Sequence, residues 1–459
     1  MHLSGILVSF LAFAFAFVAG PLAAQTSERT LANGMKVIVI EDHRAPTVAH
    51  MVWYRAGSID EVNGRTGVAH VLEHMMFKGT GSLGPGEFSR RVAAMGGREN
   101  AFTSRDYTGY FQQIHKSRLG EVMALEADRM ADLVLSADEF EREIKVVMEE
   151  RRLRTEDRAR ALVFEQLMAS AFVASPARSP VIGWMSDLEA MKVDDTREWY
   201  RQWYAPNNAL LLVAGDVDPA GVFGLAEQTY GRIPQRALPM RKPQSEPAQR
   251  GVRRLWVKAP AENPFLTMGF RVPKLLDVDR DQDPYALEVL AAVLDLDENG
   301  RLTRSVVRGS RIANGADAGY DMISRGPTLF TLSGTPADGK TTEEVERALR
   351  AEIRRIADEG VSDEELRRVK AQYVASRVYQ RDSVFGQAME AAGLEVVGFS
   401  HRDADRILER VRAVSAEQVK AVAGKYFDED TLTVVTLLPQ PLPAESGRAP
   451  GQPPAGLRH

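Results

Sequence analysis

Apolar and polar residues follow two different periods along the chain, and the period switches many times. Residues 35–40 and 49–54 are short apolar runs, the first preceded by the turn pair Asn33-Gly34, and both predict strands. Residues 100–113 alternate and are rich in Thr, Tyr and Phe, which predicts a strand or hairpin. Helical spacing is expected over 66–78, with Thr66 as cap, over 88–95, stopped by Gly96-Gly97, and over 119–133. Ser136 with Glu139 forms a capping-box pattern that opens a long helix to about residue 154. A helix over 196–204, a strand over 209–215 and a helix over 219–230 follow; Asp218 and Pro219 suit the start of the last one.

Residues 233–252 lose this periodicity and are rich in Pro, Arg, Gln and Ser, the composition of a linker. Beyond them a similar order returns. Strands are expected near 265–270, 328–334 and 432–438, and helices over 283–294, 342–359, 363–377 and 415–426. The two halves therefore read as structural repeats. The expected organisation is an N-terminal domain over 25–235, a linker over 236–252, a C-terminal domain over 253–440 and a disordered tail over 441–459. A length of 459 residues suits two domains of roughly 200 residues.

The first 24 residues are an apolar run that ends in Leu22-Ala23-Ala24 before the polar Gln25. This predicts a secretory signal peptide cut near Ala24, the alternative being a retained anchor. The expectation is an exported protein, periplasmic in a Gram-negative cell, with no stable membrane insertion after the signal is removed. No later segment is long and apolar enough to span a bilayer.

Charge and composition narrow the chemistry. The net charge of −5 offers no basic surface for nucleic acid. The chain has no cysteine, so disulfides, thiolate metal sites and cysteine nucleophiles are excluded. Any transition metal must be held by the eight histidines and by carboxylates. His70 and His74 stand at i and i+4 of a predicted helix, where side chains share a face with Cβ atoms about 5–6 Å apart. Two imidazoles so placed can bind one small cation at about 2.0–2.1 Å. Glu73 lies beside them, within reach of a metal-bound water whose proton it can take. The alternative is an amphipathic helix with two solvated or core-satisfied histidines. A zinc site needs a third protein ligand. The long helix after Ser136 offers Glu139, Glu141, Glu143, Glu149 and Glu150, and sequence physics does not choose among them.

HVLEHMMFKGT, then GGRENAFTSRDYTGYF, then EREIKVVMEERR together resemble the pitrilysin family of inverzincin metallopeptidases. The style is that of the short bacterial members and of the catalytic beta subunit of the mitochondrial processing peptidase. The resemblance spans roughly residues 28 to 440 and is stronger in the first half. It implies an α+β fold of two similar domains, each a mostly antiparallel sheet packed with helices. It implies Zn2+ held by His70, His74 and Glu150, with Glu73 as general base and Glu143 supporting the site without binding metal. Asn100, Ala101 and Thr103 match the edge strand that pairs with a peptide or unfolded polypeptide substrate by strand addition.

One stretch departs from the family pattern. Single-chain active relatives carry an Arg and, six or seven residues on, a Tyr that contact the substrate from the second domain. In residues 301–314 Arg308 fits the Arg, but the Tyr position holds Asn314. Tyr320 lies out of register. The expected assembly is a homodimer or a heterodimer with a related subunit; in the heterodimer the different subunit would supply the missing group. The leading expectation is a zinc endopeptidase. The alternatives are a hydrolase active only with its partner and a non-catalytic peptide-binding subunit.

Overall fold

The computed structural model describes residues 25–242 and 244–442. The signal peptide expected over residues 1–24, and all of the expected tail except residues 441 and 442, lie outside the described residues.

Two sheets organise the fold. The first contains β1 (Thr26–Thr30), β2 (Lys36–Glu41), β3 (Thr47–Tyr54), β4 (Arg98–Thr103), β5 (Thr108–His115) and β6 (Ala209–Gly215), in the order β1-β2-β6-β3-β5-β4. The second contains β7 (Arg253–Pro260), β8 (Phe265–Val272), β9 (Ala313–Tyr320), β10 (Thr328–Pro336) and β11 (Leu432–Gln440), in the order β7-β11-β8-β10-β9. Without β1 the two orders are the same. Each sheet has one parallel pair, β2 with β6 and β7 with β11, and is otherwise antiparallel. The repeat is thus a repeat of topology. The central strands β2, β3 and β6 are buried along nearly their whole length, so they read as apolar runs rather than alternations.

The helices of the first half are α1 (Val68–Met75), α2 (Glu87–Ala94), α3 (Leu119–Asp132), α4 (Ala137–Arg151), α5 (Ala159–Ala171), α6 (Met185–Ala190), α7 (Val193–Trp203) and α8 (Pro219–Gln228). Those of the second half are α9 (Asp283–Asp295), α10 (Thr342–Glu359), α11 (Asp363–Gln380), α12 (Val384–Val397), α13 (Asp403–Ala413) and α14 (Ala416–Lys425). Most cover the sheet of their own half, but two cross over. Val163, Leu167 and Ala171 of α5 pack on Phe265, Leu329, Val435 and Leu437 of the second sheet. Ala388, Ala391, Ala392 and Val396 of α12 pack on Ile38, Met51, Trp53 and Leu212 of the first. Each sheet is buried on its second face by a helix from the other half, so neither half completes its own layered core.

Polar contacts fasten the exchange. Lys36 Nζ lies 2.8 Å from Glu395 on α12 and 3.0 Å from Glu28. Arg325, in the loop after β9, reaches the first half and pairs with Asp60 at 2.7 Å. Residues 234–242 and 244–252 form no regular element, yet they are pinned. Glu246 accepts backbone N–H groups of Val173, Ala174 and Ser175, and Arg241 pairs with Asp60.

Three expectations shift. The helix expected from Thr66 begins at Val68 and ends at Met75. The long helix after Ser136 ends at Arg151 and passes into a π-helical turn over Arg152–Glu156. Strands β1, β7 and β9 and helices α5, α6, α12 and α13 carried too little pattern to be expected.

Candidate metal centre

Helix α1 is short, and all of its residues are buried, including His70, Glu73 and His74. Isolated helices of this length are marginal in water, so its position comes from packing and from its N-terminus. Gly67 is the N-cap, with φ of 87°; a Cβ there would lie 2.5 Å from the carbonyl oxygen of Ile182. Glu61 supplies the cap that Gly67 lacks: its two carboxylate oxygens accept the N–H groups of Gly67 (2.8 Å) and Ala69 (2.9 Å). Thr66, expected to cap the helix, donates its hydroxyl to Asp187 at 2.6 Å instead.

Helix α4 packs against α1 and brings two of its five candidate glutamates to the histidines. One carboxylate oxygen of Glu150 lies 3.3 Å from His74 Nε2 and 3.7 Å from His70 Nε2. The other is held by Arg154 at 2.6 Å. Glu143 sits one step back: it binds Nδ1 of His74 at 2.9 Å and Lys78 at 2.6 Å. Ligand atoms of His70, His74 and Glu150 all lie within 4.8 Å of one another.

This donor set fits a zinc ion. The Glu150 oxygen turned to the histidines is buried and faces both Nε2 atoms. Its separations from the two nitrogens compare with the ligand–ligand edge of about 3.3 Å that a tetrahedral ion with bonds near 2.0–2.1 Å imposes. Three carboxylates converge on the pocket, and their field demands positive charge. Burial pulls the His74 imidazolium down, but Glu143, Glu150 and Glu73 push its pKa up to about 9. Burial alone would raise the Glu150 carboxyl; His74, His70 and Arg154 hold it down to about 2. A second cluster, Glu28, Glu395 and His401, is equally compact, but the Lys36 ammonium already lies between its two carboxylates.

Glu73 is 8% exposed. Burial raises its carboxyl above the usual range, opposed in part by the Thr103 hydroxyl and by His74. Thr103 Oγ1 donates to Glu73 at 2.5 Å. Asn100, Ala101 and Thr103 lie on β4, the outermost strand of its sheet. Ala101 N–H is satisfied by the Asn100 side chain at 2.8 Å. A cavity of about 540 Å3 opens beside His70 and Glu150, with Phe164 and Met168 of the crossing helix α5 in its wall.

Arg308 is not among the residues that line this cavity. It lies in a π-helical turn over Thr303–Gly309, half-exposed, and pairs with Glu298 at 3.0 Å. Asn314 is at the start of β9, and its amide approaches the Pro336 carbonyl at 3.5 Å. Tyr320 donates its hydroxyl to the Pro273 carbonyl at 2.6 Å. Sequence reasoning missed Glu61, Lys78 and Arg154. Arg154 stands at i+4 from Glu150, a spacing that signals contact along a helix; for Glu61, and for Lys78, which pairs with Glu143 on another helix, no local signal exists.

Residues 36–183 match the model of Insulinase (Peptidase family M16), and residues 190–373 match that of the Peptidase M16 inactive domain. The chain belongs to peptidase family M16. It is 28% identical to the zinc protease PqqE of Helicobacter pylori, over 89% of this chain and 92% of that protein. It is 25% identical to YmxG of Bacillus subtilis, described as an uncharacterized zinc protease, over 87% and 95% of the two chains. Its fold superposes on the crystal structure of a protease from Helicobacter pylori with a TM-score of 0.86 at 27% identity, covering 91% of this chain and all of the other. The periplasmic protease PqqL from Escherichia coli shares the fold at 19% identity, with a TM-score of 0.76; the match covers 91% of this chain and 48% of that one. The histidine pair lies in the half that matches the Insulinase model.

Proposed function

We propose that the chain is a zinc endopeptidase acting on extended peptides or unfolded segments. His70, His74 and Glu150 would hold the zinc ion, and Glu143 would orient His74. The observation that carries this reading is the buried Glu150 oxygen facing both histidine nitrogens. When bound, zinc supplies Lewis acidity, which polarises a carbonyl and makes water acidic. Glu73 takes one proton from the attacking water as the new C–O bond forms. It then gives that proton to the amide nitrogen as the C–N bond breaks. Thr103 holds Glu73 in place, and the outer edge of β4 aligns the substrate backbone by strand addition. Replacing Glu73 by Gln should leave zinc bound and reduce hydrolysis by at least about a hundredfold. Parental turnover by a zinc-loaded Glu73→Gln protein would defeat this reading.

A second reading concerns assembly. Arg308 is engaged by Glu298, the Tyr position holds Asn314, and Tyr320 is committed to Pro273. These favour a related but different chain that supplies the Arg and Tyr contacts opposite the zinc. Activity of the purified chain, with and without a related subunit, tests this; full activity as a monomer would remove it. The domain limits at residues 235 and 253 belong to the same reading. So does export, which rests on the apolar run before Gln25.

A further inference from the structure

The cavity beside His70 is cationic after its internal pairs are made. Its charged lining is Arg105, Glu150, Arg154, Glu165 and Arg178. Arg154 pairs with Glu150 at 2.6 Å. Glu165 pairs with Arg151, which is outside the lining, at 2.9 Å. Two guanidinium groups remain without a carboxylate. Arg178 donates to the Val173 carbonyl at 3.2 Å.

Arg105 is the more unusual of the two. The residue is partly exposed, but its Nε is buried and has no hydrogen-bond partner among the described residues. Its guanidinium makes no ion pair and stacks on no ring among the described residues. Burial pulls it below its ordinary range, and only Asp106 opposes this. Asp106 itself accepts the backbone N–H of Arg325 at 3.1 Å. Shielding part of a cation from water without a partner is costly and is retained only where something offsets the cost. Packing offers no such account of Arg105. Its position does offer one. Arg105 lies in the turn just beyond Thr103, so an extended peptide laid along β4 passes it within a few residues of Glu73.

We propose that Arg105, assisted by Arg178, binds a carboxylate of the substrate, either an acidic side chain or a free C-terminus close to the scissile bond. This rests on the peptidase reading above and adds a substrate class to it. Planar bidentate pairing with a carboxylate is the recognition for which a guanidinium is suited.

The test is peptide binding by the zinc-loaded full chain carrying Glu73→Gln, followed by fluorescence anisotropy. One labelled peptide is varied, with Glu, Gln or Lys scanned through its central residues and with a free or amidated C-terminus. Glu at one or two positions, or the free C-terminus, should tighten Kd about tenfold over its neutral counterpart, and Lys should weaken it. Adding Arg105→Gln should bring the ratio of Glu to Gln, or of acid to amide, close to one while zinc content is unchanged. Arg178→Gln, at a more accessible position, should lower the same ratio by a smaller factor and guards against misfolding of the first variant. A preference confined to the free C-terminus assigns the carboxylate to the chain end; a preference that survives amidation assigns it to a side chain. Equal binding of all charge variants overturns the proposal alone. Failure to bind any peptide overturns the peptidase reading and the proposal with it.

Discussion

The hydroxyl of Thr103 donates to the carboxylate of Glu73 across 2.5 Å, joining the edge strand β4 to the helix that carries both histidines. The strand proposed to align the substrate and the base proposed to activate water are therefore one mechanical unit. Thr103→Val removes the donor and keeps the shape. Hydrogen bonds to charged groups contribute about 1.5–3 kcal/mol, so kcat should fall about tenfold or more. Zinc content should not change, because Glu73 is not one of the three donors. An unaltered kcat would separate the strand from the base.

Glu143 should govern zinc affinity without touching the ion. It fixes His74 through Nδ1 and is itself held by Lys78. Loss of such a supporting carboxylate typically weakens metal binding by roughly 10–100-fold. Glu143→Ala should do so in a chelator competition assay, and Glu143→Gln, which still offers an oxygen to His74, should lose less. Equal affinity in Glu143→Ala and the parent would leave Glu143 with a role in packing only.

The N-terminus of α1 depends on Glu61. Glu61→Ala leaves the N–H groups of Gly67 and Ala69 buried without acceptors, at a cost of about 2 kcal/mol. Glu61→Gln keeps one acceptor oxygen and should cost less. Urea denaturation of the metal-free chains measures this, and zinc affinity should fall in the same order. Stability of Glu61→Ala matching the parent would show that packing alone holds α1.

Acid should loosen the exchange of helices. Burial tends to raise the Glu395 carboxyl, but His401 and Lys36 hold it down from 4.5 to about 2. A depressed carboxyl contributes stability that is present above its unfolded value and is lost as pH falls through its folded value. The contribution is at most about 3 kcal/mol. Glu395→Gln should therefore be less stable than the parent at pH 7, with the gap closing as pH falls from about 4.5 towards 2. A gap that is constant with pH would mean that Glu395 acts by shape and not by charge.

Local covalent geometry makes some features of this protein legible in its residues alone. His70 and His74 share a face because helical residues at i and i+4 always do, and Glu73 is next to them by chain connectivity. Most strands of the first sheet and the hairpin of β4 and β5 are visible in apolar runs and alternation. The caps at Ser136 and Asp218 also hold, each accepting a backbone N–H within its own first turn. Five glutamates on α4 were equivalent to sequence physics; the family resemblance chose Glu150 and Glu143, and the packing of α4 on α1 brings those two to the histidines. Thr66 offered a good cap, yet a left-handed Gly67 and the distant Asp187 drew it away.

The tertiary structure alone decided which sheet each helix covers. The apolar faces of α5 and α12 require burial, but an apolar face is indifferent to which apolar surface covers it. Hydrophobic burial is non-directional, so the crossing of these helices is set by chain path, by shape and by polar contacts such as Lys36 with Glu395 and Arg325 with Asp60. The same holds for the cavity that α5 and the β4–β5 turn enclose beside His70: its walls are far apart in sequence, and the unpaired charge of Arg105 shows only once they meet.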